Sequence, residues 1–253
     1  MIRYFIKLSY NGYFYNGWQK QKNNCLTIEE EIENKLLIIF KKNINIIGAS
    51  RTDSGVHAKL MFAHFDYKNI INKKKFLYKI NLLISSNIII HNLLRVKNNI
   101  HARFNAKYRI YKYIISYKKK PFKNNLYWFW KYKKKLNIDL MNKAVNIIKN
   151  NKNYFFFSKK DKNKKKKNYN CNIYYAYWEK INNNIFFFIK SNRFLRKMVR
   201  FIISISIEIG LKKMTIYDLI YKIKKKKKIF FNINVPPYGL YLIKIKYNKN
   251  IFL

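Results

Sequence analysis

The sequence predicts an α+β protein built as two halves, and three observations lead there. A strand–helix–strand pattern opens the chain, and a comparable alternation of helices and strands resumes after about residue 137. The 253 residues, 49% of them hydrophobic, suffice for a substantial core, as one large domain or two compact halves.

Residues 2 to 10 read as a strand. Thr27 followed by Glu30 forms a capping-box pattern ahead of a helix carrying Ile28, Ile32, Leu36, Ile39 and Phe40. Residues 43 to 49 and 59 to 66 read as strands flanking the polar connection Arg51-Thr52-Asp53-Ser54-Gly55. A second helix is expected over 74 to 84, then strands over 87 to 97 and 107 to 117. In the second half a helix is expected near 137 to 149, strands near 172 to 180 and 184 to 190, and a helix from about 193 to 209, before a final helix and strand. Residues 159 to 167 and 224 to 228 are lysine blocks, expected as solvated loops because like charges repel.

The formal charge is +44, from 55 Lys and Arg against 11 Asp and Glu, which points to a polyanionic partner such as nucleic acid. Lys, Asn, Ile, Tyr and Phe crowd the chain while Gly (6) and Pro (3) are scarce, the signature of AT-biased codons, so charge alone does not identify function. Cys25 and Cys171 lie far apart without C-x-x-C spacing, which indicates neither a disulfide framework nor a zinc site. Lys7 interrupts the first apolar stretch before a signal-peptide core forms, and no apolar run approaches the roughly 18 residues of a membrane span. These features predict a cytoplasmic protein. No metal cluster and no nucleotide-binding glycine loop is recognisable, so no cofactor is expected.

Eleven acidic residues permit a search by elimination. Glu29, Glu30, Glu31 and Glu33 crowd the start of the first helix, where dipole and capping roles account for them. Asp66, Asp139, Asp161, Glu179, Glu208 and Asp218 have similar structural readings at strand ends, in helices or in a lysine loop. Asp53 differs, lying in a short inter-strand loop after Arg51 and Thr52, with Gly55 giving backbone freedom and His57 nearby. On spacing alone the tripeptide is weak evidence, and an Asp turn before Ser-Gly explains it better.

The longer string Gly48-Ala49-Ser50-Arg51-Thr52-Asp53-Ser54-Gly55-Val56-His57-Ala58, followed by His64-Phe65, resembles the active-site signature of the tRNA pseudouridine synthase A family, with Ser50 where that family usually has Gly. The likeness covers nearly the whole chain. Tyr10-Asn11-Gly12, Gly17-Trp18-Gln19-Lys20-Gln21, Asn81-Leu82-Leu83, His101-Ala102-Arg103-Phe104-Asn105-Ala106 with Tyr111-Lys112-Tyr113-Ile114, Phe194-Leu195-Arg196-Lys197-Met198-Val199-Arg200, and Pro236-Pro237-Tyr238-Gly239-Leu240-Tyr241-Leu242 follow in the family's order. The stretch Tyr154-Phe155-Phe156-Phe157 departs from the family pattern.

The resemblance implies two similar α/β halves, 1–106 carrying the Asp loop and 107–253 carrying a tyrosine and an arginine, sharing a continuous, mainly antiparallel sheet with the active-site cleft between them. It implies Asp53 as catalytic carboxylate, Arg200 as its ion-pair partner, Tyr111 stacking on the target base, and Arg51 filling the space that a flipped uridine vacates. It further implies tRNA as substrate, uridines 38, 39 and 40 of the anticodon stem-loop as targets, and a homodimer. Two other readings are a non-catalytic RNA-binding protein on the same scaffold and a nucleoid-like DNA-binding protein. The first would have lost Asp53, Tyr111 or Arg200, and the second gives no reason for the ordered motifs.

Overall fold

The computed structural model describes residues 1–22, 25–159, 168–225 and 232–253. Most of the two lysine blocks lies outside these residues. Among them are five α-helices, α1 Ile28–Phe40, α2 Lys73–Leu83, α3 Ile138–Lys149, α4 Met198–Gly210 and α5 Ile216–Lys224. The nine strands are β1 Ile2–Tyr10, β2 Ile47–Gly48, β3 His57–Tyr67, β4 Ile88–Val96, β5 Tyr108–Ser116, β6 Trp128–Phe129, β7 Ile173–Ile181, β8 Asn184–Ser191 and β9 Leu240–Lys246. Strand pairing is mixed and mostly antiparallel, with β3–β9 and β5–β6 parallel, so the α+β expectation holds. The chain forms two compact units, Met1–Arg109 with Tyr241–Leu253, and Ile110–Leu240.

In the first unit β1 pairs antiparallel with both β3 and β4. Its Phe5, Ile6, Leu8 and Tyr10 are buried. Helix α1 buries Ile28, Ile32 and Leu36, a stripe at i, i+4 and i+8, each such side chain contributing about 1.5–3 kcal/mol on leaving water. The Thr27 side chain caps this helix by accepting from the Glu30 N–H, as its sequence predicts. The strand expected over 43 to 49 shrinks to Ile47–Gly48. One cause is visible at Ile46, whose N–H donates to the Glu33 carboxylate at 2.9 Å rather than to a neighbouring strand. Strand β3 begins at His57, two residues earlier than expected, where β9 joins it in parallel through His57–Tyr241 and Ala58–Leu242.

In the second unit β8 lies between β5 and β7, and β7 pairs antiparallel with β8. The Asn142 side chain of α3 bonds both the N–H (2.7 Å) and the carbonyl (2.9 Å) of Trp178 on β7. The Trp178 indole N–H reaches Ser206 on α4. The helix expected from 193 starts at Met198, because Asn192 and Ser191 hydrogen-bond the local backbone and Lys197 adopts a left-handed conformation, φ 60°. The short strand β6, parallel to β5, carries no readable sequence signal, since its pairing is set by tertiary contacts alone.

Candidate active site

The loop from Ala49 to Val56 leaves β2 and enters β3, and it is held almost entirely by groups outside itself. Ala49 donates its N–H to the Phe62 carbonyl at 2.8 Å, and its own carbonyl accepts from the buried Arg109 guanidinium at 2.8 Å. The Thr52 carbonyl accepts from the Trp18 N–H at 3.1 Å, while the Thr52 hydroxyl meets the Tyr10 hydroxyl at 2.8 Å in the buried interior. The Tyr15 carbonyl accepts from both the Gly55 N–H and the Ser54 hydroxyl, each at 3.2 Å. Val56 closes the turn by donating to the Asp53 carbonyl at 3.2 Å.

Two glycines are required by this packing. Gly55 has φ 75° and sits at the turn itself. Gly17 has φ 91°, and a Cβ there would lie 2.7 Å from the Thr52 carbonyl oxygen. Ser50 is not in the left-handed region, so its backbone does not demand a glycine.

Asp53 is thereby presented half-buried, between the exposed Arg51 and the exposed Ser54. Other carboxylates of the unit are committed elsewhere. Asp66 forms a two-pronged ion pair with Arg3, both contacts at 2.7 Å. Glu31 accepts from the Tyr15 hydroxyl and the Ser85 N–H. Glu29 accepts from the Trp18 indole, the Gln19 side chain and the Lys20 N–H, and burial raises its carboxyl above the ordinary value. These glutamates tether distant segments, a role beyond the capping and dipole effects their positions suggested.

His57 closes the far side of the loop. It is buried, its Nδ1 accepts from the Gly12 N–H at 3.1 Å, and its ring stacks on Tyr241 at 4.7 Å. A Cβ on Gly12 would overlap the Val56 carbonyl oxygen, so this approach also needs glycine. Sequence reading missed the bracing by Tyr10, His57 and Arg109. The first two lie within motifs quoted for their family likeness, and the alternation of β5 marks Arg109 as inward-facing.

The second unit holds the remaining two predicted site residues. Tyr111 on β5 is 5% exposed, with its ring edge-on to Phe194 at 5.1 Å. Arg200 on α4 donates Nε and Nη2 to the Val235 carbonyl at 2.9 and 2.6 Å. The adjacent Pro236 carbonyl accepts from the Tyr113 hydroxyl, and a Cβ on Gly239 would lie 2.6 Å from the Tyr113 ring. Burial pushes the Tyr113 phenol upward, while the Arg200 charge acts in the opposite direction. Thus Arg51 and Asp53 share one loop, and Arg200 and Tyr113 are both anchored to the segment opening the Pro236–Leu242 motif.

Among the described residues no group of three or more His, Cys, Asp or Glu side chains is arranged to hold a metal, and no helix is long and apolar enough to cross a membrane. A cavity lined by Arg3, Asn43, Ile47, His64 and Asp66 includes no residue of the Asp53 loop.

A family model described as tRNA pseudouridine synthase matches residues 152–248. The chain is 41% identical over 252 residues to tRNA pseudouridine synthase A of Azobacteroides pseudotrichonymphae, covering 100% of this chain and 99% of that protein. It is 37% identical over 253 residues to tRNA pseudouridine synthase A of Parabacteroides distasonis, covering 100% and 98%. For the protein of the same name from Dictyoglomus thermophilum the identity is 36% over 253 residues, covering 98% and 100%.

Proposed function

This chain belongs to the tRNA pseudouridine synthase A family, and on that premise we propose that it isomerises uridine to pseudouridine in tRNA with Asp53 as the catalytic carboxylate. The observation that carries the assignment of Asp53 is its placement, half-buried at the centre of a loop fixed from both sides, in the string that resembles the family signature.

The reaction breaks the N1–C1′ bond, rotates the base and joins C5 to C1′, with the C5 hydrogen leaving and a proton taken up at N1. Atoms balance without donor, water or redox partner. A carboxylate serves such chemistry as nucleophile or base. Arg200 is the ion-pair partner that orients this carboxylate, and Tyr111 stacks on the base while it is detached. Arg51, exposed beside Asp53, fills the gap left when the uridine flips out of its stack. The targets are uridines 38, 39 and 40 of the anticodon stem-loop, recognised largely through phosphates and RNA shape, as a +44 chain favours. The enzyme works in the cytoplasm as a homodimer. Half-exposed Tyr175, Phe186 and Phe188 on the β7–β8 face support a covered surface there.

The deciding experiment is tritium release from unmodified tRNA carrying 5-tritiated uridine. Release by the native protein and none by Asp53→Asn is expected. A folded, tRNA-binding native protein that releases nothing is instead a non-catalytic RNA-binding protein, and equal release by both removes Asp53 from the chemistry.

A further inference from the structure

Beside the Asp53 loop the chain displays two aromatic rings to solvent. Phe14 is 60% exposed and Tyr13 40% exposed, with ring centroids 5.2 Å apart at 87°. A lone exposed aromatic needs no explanation, but this pair sits on backbone that is pinned on both sides. Tyr13 donates its N–H to the Asn11 side chain at 3.2 Å, and Tyr15 donates its N–H to the Gly12 carbonyl at 3.1 Å. Asn11 and Asn16 are bonded through their N–H groups to the carbonyls of Asn87 and Leu26, each at 2.8 Å. The carbonyl of Tyr15, the residue after Phe14, is the one that accepts from both Ser54 and Gly55. Phe14 is therefore fixed one residue from the contact that holds the two residues following Asp53.

We propose that Phe14, with Tyr13 packed against its edge, is a stacking platform for an RNA base adjoining the target uridine. The inference rests on the proposed action on tRNA. A phenyl ring offers a polyanion no charge and no hydrogen bond, so its contribution at this rim is its flat face. Stacking on a base tolerates any base identity, and a ring on a prefixed turn loses little freedom on binding. When the uridine flips outward its neighbours lose a stacking partner, and an aromatic ring close to the carboxylate loop replaces it.

Two measurements test this. An anticodon stem-loop carrying 2-aminopurine at the positions flanking the target uridine is titrated with native protein and with Phe14→Ala, Phe14→Leu and Phe14→Trp. Quenching at one flanking position is expected with the native protein and Phe14→Trp, and its loss at saturating Phe14→Ala or Phe14→Leu. In parallel, KM for tRNA rises about ten-fold in Phe14→Ala, by the same factor at low and high salt, because stacking releases no counterions. Unchanged quenching and KM in Phe14→Ala, or a Phe14→Leu variant as good as Phe14→Trp, would overturn the proposal. The quenching needs binding only, so a native protein that quenches but releases no tritium would leave this contact standing while the catalytic reading fails.

Discussion

The Tyr10 and Thr52 hydroxyls meet at 2.8 Å in a buried pair, one residue before Asp53. The contact joins the end of the first strand to the middle of the Asp53 loop, across 42 residues of sequence. Removing the phenolic hydroxyl strands a buried Thr52 oxygen. Tyr10→Phe is expected to cost about 1–3 kcal/mol in urea unfolding and to lower kcat. The double variant with Thr52→Val should lose less than the sum of the two single changes, which a double-mutant cycle reads directly.

Gly12 tolerates no side chain, since a Cβ there would overlap the Val56 carbonyl. Gly12→Ala must move either the 12–15 turn or the loop behind Asp53, at an expected cost of about 3 kcal/mol. Thermal melting checks this, and a variant that melts like the native protein would refute the close approach.

Arg200 tests charge against geometry. Its fork grips the Val235 carbonyl through Nε and Nη2, which a lysine ammonium cannot reproduce. Arg200→Lys is expected to lower kcat by about 100-fold while tRNA binding changes far less. Equal losses in filter binding and turnover would remove it from the reacting centre.

His64 gives the first unit an acid-side weakness. Burial, aided by the Arg3 charge, carries its pKa down to about 4. The unfolded chain takes up this proton near pH 6.5, whereas the folded chain resists until about pH 4. Stability is therefore lost as pH falls between those values, by up to about 3 kcal/mol, with the loss complete below them. His64→Gln should flatten this part of the unfolding profile. Asp66, held low by its hydrogen bond from Arg3, acts in the same sense as His64, contributing at higher pH and losing its contribution in stronger acid.

How much of this was legible depended on the distance over which each residue is satisfied. Strand β1 and the cap of α1 could be read because alternation and the Thr27–Glu30 spacing are local. Strand β2 was overextended because the partner of the Ile46 N–H is the Glu33 side chain, 13 residues earlier. The start of α4 was set too early because apolar spacing does not reveal the left-handed Lys197. At the site, motif likeness singled out the Asp53 loop. That its frame is supplied by Tyr10, Tyr15, Trp18 and Arg109 follows only from folding.

Most atoms in that frame are main-chain atoms. The carbonyls of Tyr15, Ala49 and Thr52 and the N–H groups of Trp18, Ala49 and Gly55 make its bonds whatever side chains those residues bear. Such a loop is robust to compositional drift, because replacing a side chain seldom erases the bond made by its peptide unit. Ser50 already illustrates this latitude. Lineages whose codons are pushed toward lysine, asparagine and isoleucine can rewrite the exterior extensively, provided that a few glycines and the Tyr10–Thr52 pair are spared.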